Sequence, residues 1–219
     1  MKILSLDVSG NYSSISLLHD DEVNTFTQTH DLKERPDWDK LFKSIGFDSK
    51  EGFENLDGLA FACGPGSYTA LRVTASFLKA IAEVKKLPLI AISNLESIAH
   101  EASHWIDEIE AKIYVAIEAD VNESYFCSYQ KNNHKLIPIS AEGVVRLEEL
   151  SGLLKKDDCY FAGTGWPKAV ENNPQFLSQA LGSAEPIATI AKKSLETGED
   201  FLPENANPVY LKTPDYKKS

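Results

Sequence analysis

The sequence predicts an α/β protein built from two halves of similar design. Each half contains strands, a helix, a further strand that ends in a glycine turn, and a final helix. The glycine turns are Gly64-Pro65-Gly66 in the first half and Gly163-Thr164-Gly165 in the second. Strands that alternate with helices in this way favour sheets covered by helices. The chain has 219 residues, of which 42% are hydrophobic, so it can bury a sizeable core.

Three strands open the first half. Residues 2–8 are mostly apolar and end at a serine-glycine-asparagine turn signal at residues 9–11. Residues 13–18 alternate as the returning strand of a hairpin, and residues 22–29 give the third strand. Asp7 is therefore expected beside a hairpin turn, where a carboxylate can hold a metal ion or a water molecule, or can cap the turn.

Two helices of the first half are more apolar than packing on a sheet requires. The shorter covers residues 37–46, because Pro36 and Asp37 open it and Gly46 ends it. The longer follows the first glycine turn, covers residues 69–85 and has only a narrow polar face. A helix on one side of a sheet needs an apolar stripe about 100° wide. The surplus must be covered either by the same chain or by another protein.

Two strands and a helix complete the first half. Residues 59–63 are a short apolar run before the glycine turn, which predicts a buried strand. Residues 88–92 give a further strand. Ser93 and Glu96 form a capping box, which begins a helix that runs to Trp105.

A polar stretch at residues 107–112 marks a boundary between the halves. We therefore expect an N-terminal lobe of residues 1–106 and a C-terminal lobe of residues 107–219, whose last segment can return to the first lobe. The elements of the second half are strands 113–117, 124–130 and 135–139, helix 145–154, strand 159–162 and helix 186–195.

Charge and cysteine content narrow the classes of function. The formal net charge is −11, so the surface repels a nucleic-acid backbone and a role near RNA would run through a partner. Cys63, Cys127 and Cys159 are odd in number and far apart, which favours buried thiols over a disulfide framework. No apolar run approaches the roughly 18 residues of a membrane helix, and the N-terminus lacks a signal-peptide pattern. We expect a cytoplasmic protein without membrane contact.

The most tempting chemical motif is His100-Glu101-x-x-His104, which matches the His-Glu-x-x-His pattern of zinc peptidases. A zinc site needs a third ligand, and the Gly-x-x-His extension is absent. Glu118 and Glu123 are conceivable distant ligands, although a solvated loop explains them equally well. Histidines at the end of a helix also help to satisfy its terminal carbonyls. A zinc metallopeptidase stays as one alternative function.

A nucleotide-binding ATPase is a second alternative, because Asp7 and the two glycine turns resemble parts of a phosphate site. The first turn, however, lacks the Gly-Lys-Ser/Thr ending of a Walker loop. The sequence also has no Gly-x-Ser-x-Gly elbow, and no cysteine has a histidine beside it. We therefore expect no catalytic residues, no metal and no cofactor.

The first glycine turn and the helix start after it resemble a family signature. Residues 64–72 are similar to the Gly-Pro-Gly-Ser-Phe-Thr-Gly-Leu-Arg motif of the TsaB (YeaZ) family, with Ala70 in place of its third glycine. Residues 3–9, residues 163–166 and the Pro-Val-Tyr-Leu-Lys at residues 208–212 also resemble family motifs. The signature positions in this sequence are Asp7, Gly64, Pro65, Gly66, Ser67, Tyr68, Thr69 and Arg72.

The resemblance implies a two-lobed actin/Hsp70/sugar-kinase-like (ASKHA) fold, with a mixed sheet flanked by helices in each lobe. It implies a non-catalytic scaffold subunit that binds a TsaD-like catalytic subunit, which threonylcarbamoylates the adenosine next to the anticodon of tRNA. A TsaE-like ATPase would join the complex, tRNA contact would be indirect, and the chain alone could form a homodimer. The metal-binding His-x-x-x-His pair of TsaD lies in another part of the fold, so no metal is transferred to His100 and His104.

The two apolar helices of the first half are the expected partner surface. Neighbouring helices with surplus apolar area can form half of a four-helix bundle with the matching pair of a partner. The alternative is that the short helix covers the long one within a single chain. The predicted interface comprises Trp38, Leu41, Phe42, Ile45, Leu71, Thr74, Ala75, Leu78 and Ala82.

Overall fold

The computed structural model describes four stretches of the chain: residues 1–29, 37–48, 50–133 and 135–212. Contacts between residues divide the chain into two compact units. Unit 1 comprises residues 1–97 and 182–208, and unit 2 comprises residues 98–181 and the chain from residue 209. The division into lobes at residue 106 stays a prediction from the sequence.

The described residues form eleven strands and five α-helices. The strands are β1 (Lys2–Asp7), β2 (Tyr12–His19), β3 (Glu22–Thr29), β4 (Gly58–Gly64), β5 (Leu89–Ser93), β6 (Glu110–Asp120), β7 (Glu123–Asn132), β8 (Lys135–Pro138), β9 (Gly143–Arg146), β10 (Cys159–Ala162) and β11 (Phe176–Leu177). The helices are α1 (Trp38–Ser44), α2 (Tyr68–Lys85), α3 (Asn94–Ser103), α4 (Leu147–Leu153) and α5 (Ala184–Glu196).

Unit 1 is built on a mixed sheet in the order β3-β2-β1-β4-β5. Strands β1, β2 and β3 pair antiparallel, whereas β4 and β5 join them in parallel. Strand β4 is buried at every position, because alternate residues face opposite helices. Phe61 lies in the cluster that contains α2, and Ala60 and Ala62 lie in the cluster that contains α5. Helix α5 therefore returns the chain to this sheet, where its Ile187 is fully buried.

Unit 2 repeats this strand order. Its sheet runs β11-β10-β6-β7-β8, and β9 pairs with β7. The antiparallel hairpin β6–β7 corresponds to β1–β2, and β10 pairs parallel with β6 as β4 does with β1. A second core forms around Tyr114, Phe161 and Trp166. The predicted α/β fold class is confirmed, since each unit carries a mixed sheet with helices packed against it.

Some element boundaries differ from the sequence prediction for local physical reasons. Helix α1 is shorter than 37–46, because the side chain of Asp37 caps it by accepting a hydrogen bond from the Lys40 amide at 3.1 Å. Pro36 lies outside the described residues. The sequence placed a helix over residues 145–154, but the β-branched Val144 and Val145 belong to β9 and pair with β7.

Two further predictions concern the chain as a whole. Within the described stretches, no helix is both long and apolar enough to cross a membrane. Cys63, Cys127 and Cys159 are buried thiols that form no disulfide, as the sequence predicted.

Candidate functional site

Helix α2 carries most of the predicted partner residues, and the structure buries nearly all of them inside this chain. Eight of the nine predicted interface residues are no more than 4% exposed; they are Leu41, Phe42, Ile45, Leu71, Thr74, Ala75, Leu78 and Ala82. On α2 these residues form a single stripe along the helix, and this stripe packs against the sheet of unit 1. These side chains are core residues of this chain, so they offer no free surface to a partner.

The surplus apolar surface of α2 lies on its other side. Val73 is 45% exposed and Val84 is 77% exposed, while Phe77 and Ile81 are half-buried. Val73, Phe77, Ala80 and Val84 recur at intervals of four, three and four residues, which is a heptad spacing. We call these four residues the outer stripe. The sequence showed that α2 has more apolar residues than one sheet can cover. It did not show which of them face the sheet, because the helix is apolar on nearly all sides.

A groove between α1 and α2 extends the outer stripe. Its volume is about 500 Å³, and it is lined by Trp38, Asp39, Phe42, Phe53, Phe77, Ala80, Ile81, Val84 and Lys85. The Trp38 ring stacks on Phe77 with centroids 4.7 Å apart and an interplanar angle of 12°. Trp38, the one predicted interface residue that is not fully buried, therefore forms a wall of this groove.

The rim of the groove carries a charge pair. Lys85 Nζ lies 2.7 Å from a carboxylate oxygen of Glu54, and this hydrogen bond lowers the pKa of the Glu54 carboxyl. The Glu54 side chain is 68% exposed, so solvent screens the pair and it adds little to stability. The pair leaves the apolar floor of the groove accessible and places both signs of charge beside it.

The second glycine turn is held against a neighbouring strand. Gly163 has a φ of +90°, and a Cβ at this position would overlap the carbonyl oxygen of Ala116. The Gly165 amide donates to the same carbonyl at 2.9 Å, and the Ser124 hydroxyl donates to the Gly165 carbonyl at 2.6 Å. Glycine is required at these positions because the backbone of β6 comes too close to leave room for a side chain.

Gly163→Ala is expected to destabilise the protein by about 2 kcal/mol or more, because alanine adds both a strained φ and a backbone overlap. Gly152→Ala is the matched control. Gly152 lies in α4 and has open space around its Cβ position, so alanine there should stabilise the protein by about 0.5–1 kcal/mol. Urea unfolding measures both free energies. Equal stability of the Gly163→Ala variant and the unmodified chain would contradict the close approach.

The His100-Glu101-x-x-His104 motif brings two histidine rings together near the C-terminal end of α3. His100 is 8% exposed and His104 is exposed, and their rings meet edge to face with centroids 4.9 Å apart. Among the residues that the structure describes, no group of three His, Cys, Asp or Glu side chains is placed to hold a metal ion. The metallopeptidase alternative therefore has no third ligand in that part of the chain.

The carboxylates of the β6–β7 hairpin are engaged by the C-terminal segment. Lys212 Nζ lies 3.1 Å from Asp120 and 2.6 Å from Glu123. The hydrogen bonds that the Lys212 ammonium donates to Glu123 and Asp120 raise its pKa above its usual range. The sequence pattern indicated a solvated loop for Glu123 and gave no sign of Lys212 as its partner, since 89 residues separate the two.

Two buried thiols are poorly suited to nucleophilic catalysis. Burial raises the pKa of Cys159 to about 11, and it also raises the pKa of Cys127. Since the thiolate is the reactive form, both side chains are protonated near neutral pH.

A family model described as "TsaD: tRNA N6-adenosine threonylcarbamoyltransferase" matches residues 35–197. The tRNA threonylcarbamoyladenosine biosynthesis protein TsaB of Haemophilus influenzae is 32% identical over 97% of this chain and 94% of its own length. The protein of the same name from Escherichia coli is 26% identical over 97% of this chain and 95% of its own length.

Solved structures give the same result. YeaZ from Pseudomonas aeruginosa is 27% identical and superposes with a TM-score of 0.77, covering 96% of this chain and 99% of that one. A further P. aeruginosa structure, of an uncharacterized protein with similarity to peptidase YeaZ, is 26% identical with a TM-score of 0.78 at the same coverage. The prediction from the glycine-turn signature is confirmed: this chain belongs to the TsaB (YeaZ) family.

Proposed function

We propose that this chain is a non-catalytic scaffold subunit of tRNA threonylcarbamoyladenosine biosynthesis. It binds a TsaD-type threonylcarbamoyltransferase through the outer stripe of α2 and the groove beside α1. The observation that carries the proposal is the exposed apolar heptad on α2, of which Val84 is 77% exposed. The relatives named TsaB place the family in this pathway.

The chemistry of the surface suits another pair of helices. Apolar side chains at heptad spacing insert between the side chains of a facing helix, as in coiled coils and four-helix bundles. The groove supplies aromatic walls that can surround an anchoring side chain of the partner. Exposed apolar patches rimmed by charged residues commonly mark protein interfaces.

The match to the TsaD family model supports the choice of partner. The matched range, residues 35–197, contains both α1 and α2. A TsaD-type enzyme is therefore expected to share this fold and to carry a corresponding helix pair. Two related helix pairs can meet about an approximate twofold axis, which also allows a homodimer of this chain when the enzyme is absent.

The remaining parts of the proposal follow from charge and from the site geometry. With a net charge of −11, this chain is a poor surface for tRNA, so tRNA contact is assigned to the enzyme. A TsaE-like ATPase joins the assembly, which works in the cytoplasm. We assign no catalytic residue to the scaffold, because the Cys127 and Cys159 thiols are protonated near neutral pH and the Gly163-Thr164-Gly165 turn is closed against β6.

The test is association of the two purified proteins. Calorimetry of this chain with the TsaD-type enzyme of the same organism is expected to give a Kd of about 1 μM or tighter, which corresponds to about −8 kcal/mol. This chain alone is expected to show no binding to tRNA at the same concentrations. Failure of the two proteins to associate at roughly ten times that concentration would overturn the proposal.

A further inference from the structure

Asp7, at the end of β1, has a buried carboxylate whose two oxygens accept three hydrogen bonds from neighbouring residues. The residue is 1% exposed. Oδ1 accepts from the Ser9 amide at 3.0 Å and from the Ser9 hydroxyl at 2.6 Å, and Oδ2 accepts from the Tyr12 hydroxyl at 2.7 Å. A carboxylate is tolerated inside a protein when donors surround it in this way. The Asp7 carboxylate therefore serves as a hydrogen-bond acceptor within the fold of this chain.

The hydrogen-bond network continues from Ser9 to the first glycine turn. The Ser9 hydroxyl donates to Asp7 and accepts from the side-chain amide of Asn94. The side-chain carbonyl of Asn94 accepts from the Gly64 amide at 2.9 Å. The Ser67 amide donates to the Ser9 carbonyl at 2.8 Å. We call these contacts the Asp7 network; it joins the first hairpin, the glycine turn and the start of α3.

The glycine turn lies directly on Ser9. A Cβ at Gly66 would come within 2.8 Å of the Ser9 Cβ and 2.9 Å of its carbonyl oxygen. A turn that binds phosphate needs backbone amides that point into an open site. Here the Ser67 amide is already bonded to Ser9, so the turn is built for contact within the chain.

The network ends at the first turn of α2. Ser67 immediately precedes α2, and its carbonyl accepts a hydrogen bond from the Leu71 amide at 2.9 Å. We propose that Asp7 is a positioning residue: through Ser9 and Asn94 it fixes the glycine turn and the N-terminal end of α2 against the sheet. The consequence for binding rests on the proposed function, because a preorganised α2 presents the outer stripe to the partner at lower entropic cost.

A matched control lies in the same sheet. Ser16 on β2 is fully buried, and its hydroxyl lies 2.8 Å from the Thr25 hydroxyl on β3. Ser16→Ala therefore removes a buried hydroxyl of the same kind as Ser9→Ala, but outside the Asp7 network.

Hydrogen exchange of the isolated chain tests the network without any partner. In Asp7→Asn and Ser9→Ala, the backbone amides of Gly64 and of residues 66–72 are expected to exchange about tenfold faster, with unchanged exchange across β4 residues 59–62. Ser16→Ala should leave residues 64–72 unchanged. If Ser9→Ala does not fold, Tyr12→Phe removes one hydrogen bond and should give an increase of about threefold. Unchanged exchange at residues 64–72, or an equal increase across β4, would overturn the proposal.

Partner affinity provides the second readout. Calorimetry with the TsaD-type enzyme is expected to show about fivefold to tenfold weaker binding for Asp7→Asn and Ser9→Ala, and a change of less than about twofold for Ser16→Ala. Faster exchange without weaker binding would overturn the positioning role. If the unmodified chain does not bind the enzyme, the proposed function fails, and the exchange experiment still decides whether Asp7 fixes α2.

Discussion

Val84→Glu is expected to abolish binding to a TsaD-type enzyme and to leave the chain folded. Val84 is 77% exposed, so the carboxylate stays in water in the free chain. In the proposed complex it would be buried without a partner charge, which costs several kcal/mol. We expect the Kd to rise by about 100-fold or more, or about 2.7 kcal/mol. Calorimetry measures the affinity, and circular dichroism with urea unfolding checks the fold.

The control for this variant is Val121→Glu. Val121 is 81% exposed between β6 and β7, in unit 2, so the substitution adds the same charge to an equally exposed valine. Its affinity for the enzyme should match that of the unmodified chain. Equal affinity of the Val84→Glu variant and the unmodified chain would place the interface elsewhere.

Leu78→Glu is expected to prevent folding. Leu78 is fully buried and lies in the same cluster as Phe61 and Leu4. The substitution removes a core side chain and buries an unpaired carboxylate, and each of these effects costs several kcal/mol. Together they approach the whole free energy of unfolding of a typical domain, which is about 5–15 kcal/mol. Circular dichroism and urea unfolding measure the loss.

Val73→Glu is the matched control on the same helix. Val73 belongs to the outer stripe and is 45% exposed, so a glutamate there should lower the free energy of unfolding by less than about 1 kcal/mol. A Leu78→Glu variant that folds and loses only enzyme binding would restore the original interface prediction and contradict the burial described above.

The order of elements could be predicted because local patterns determine it. The apolar runs, the two glycine turns and the capping residues each mark an element within a few residues of sequence. Strand β9 was not predicted, because Val144 and Val145 gain their strand structure from pairing with β7, some 20 residues earlier in the chain. Periodicity alone does not contain that information.

The candidate site also combines features that local sequence predicts with features that depend on long-range contacts. The surplus apolar surface of α2 could be predicted from composition, but its direction could not, because the sheet contacts that bury Leu78 and expose Val84 are long-range. The Asp7 network also could not be predicted from local sequence patterns. Asn94 is 85 residues from Ser9 in sequence, and only the fold brings their side chains together.

Site-specific photo-crosslinking from residue 84 shows whether the outer stripe of α2 contacts the enzyme. A photoreactive amino acid replaces Val84 in one sample and Val121 in the other, and each is irradiated with the TsaD-type enzyme. Both positions are exposed in the free chain, so neither replacement disturbs the core. We expect a covalent adduct with the enzyme from position 84 and none from position 121. An adduct from position 121 alone, or none from position 84 while the two proteins co-purify, would contradict the proposed interface.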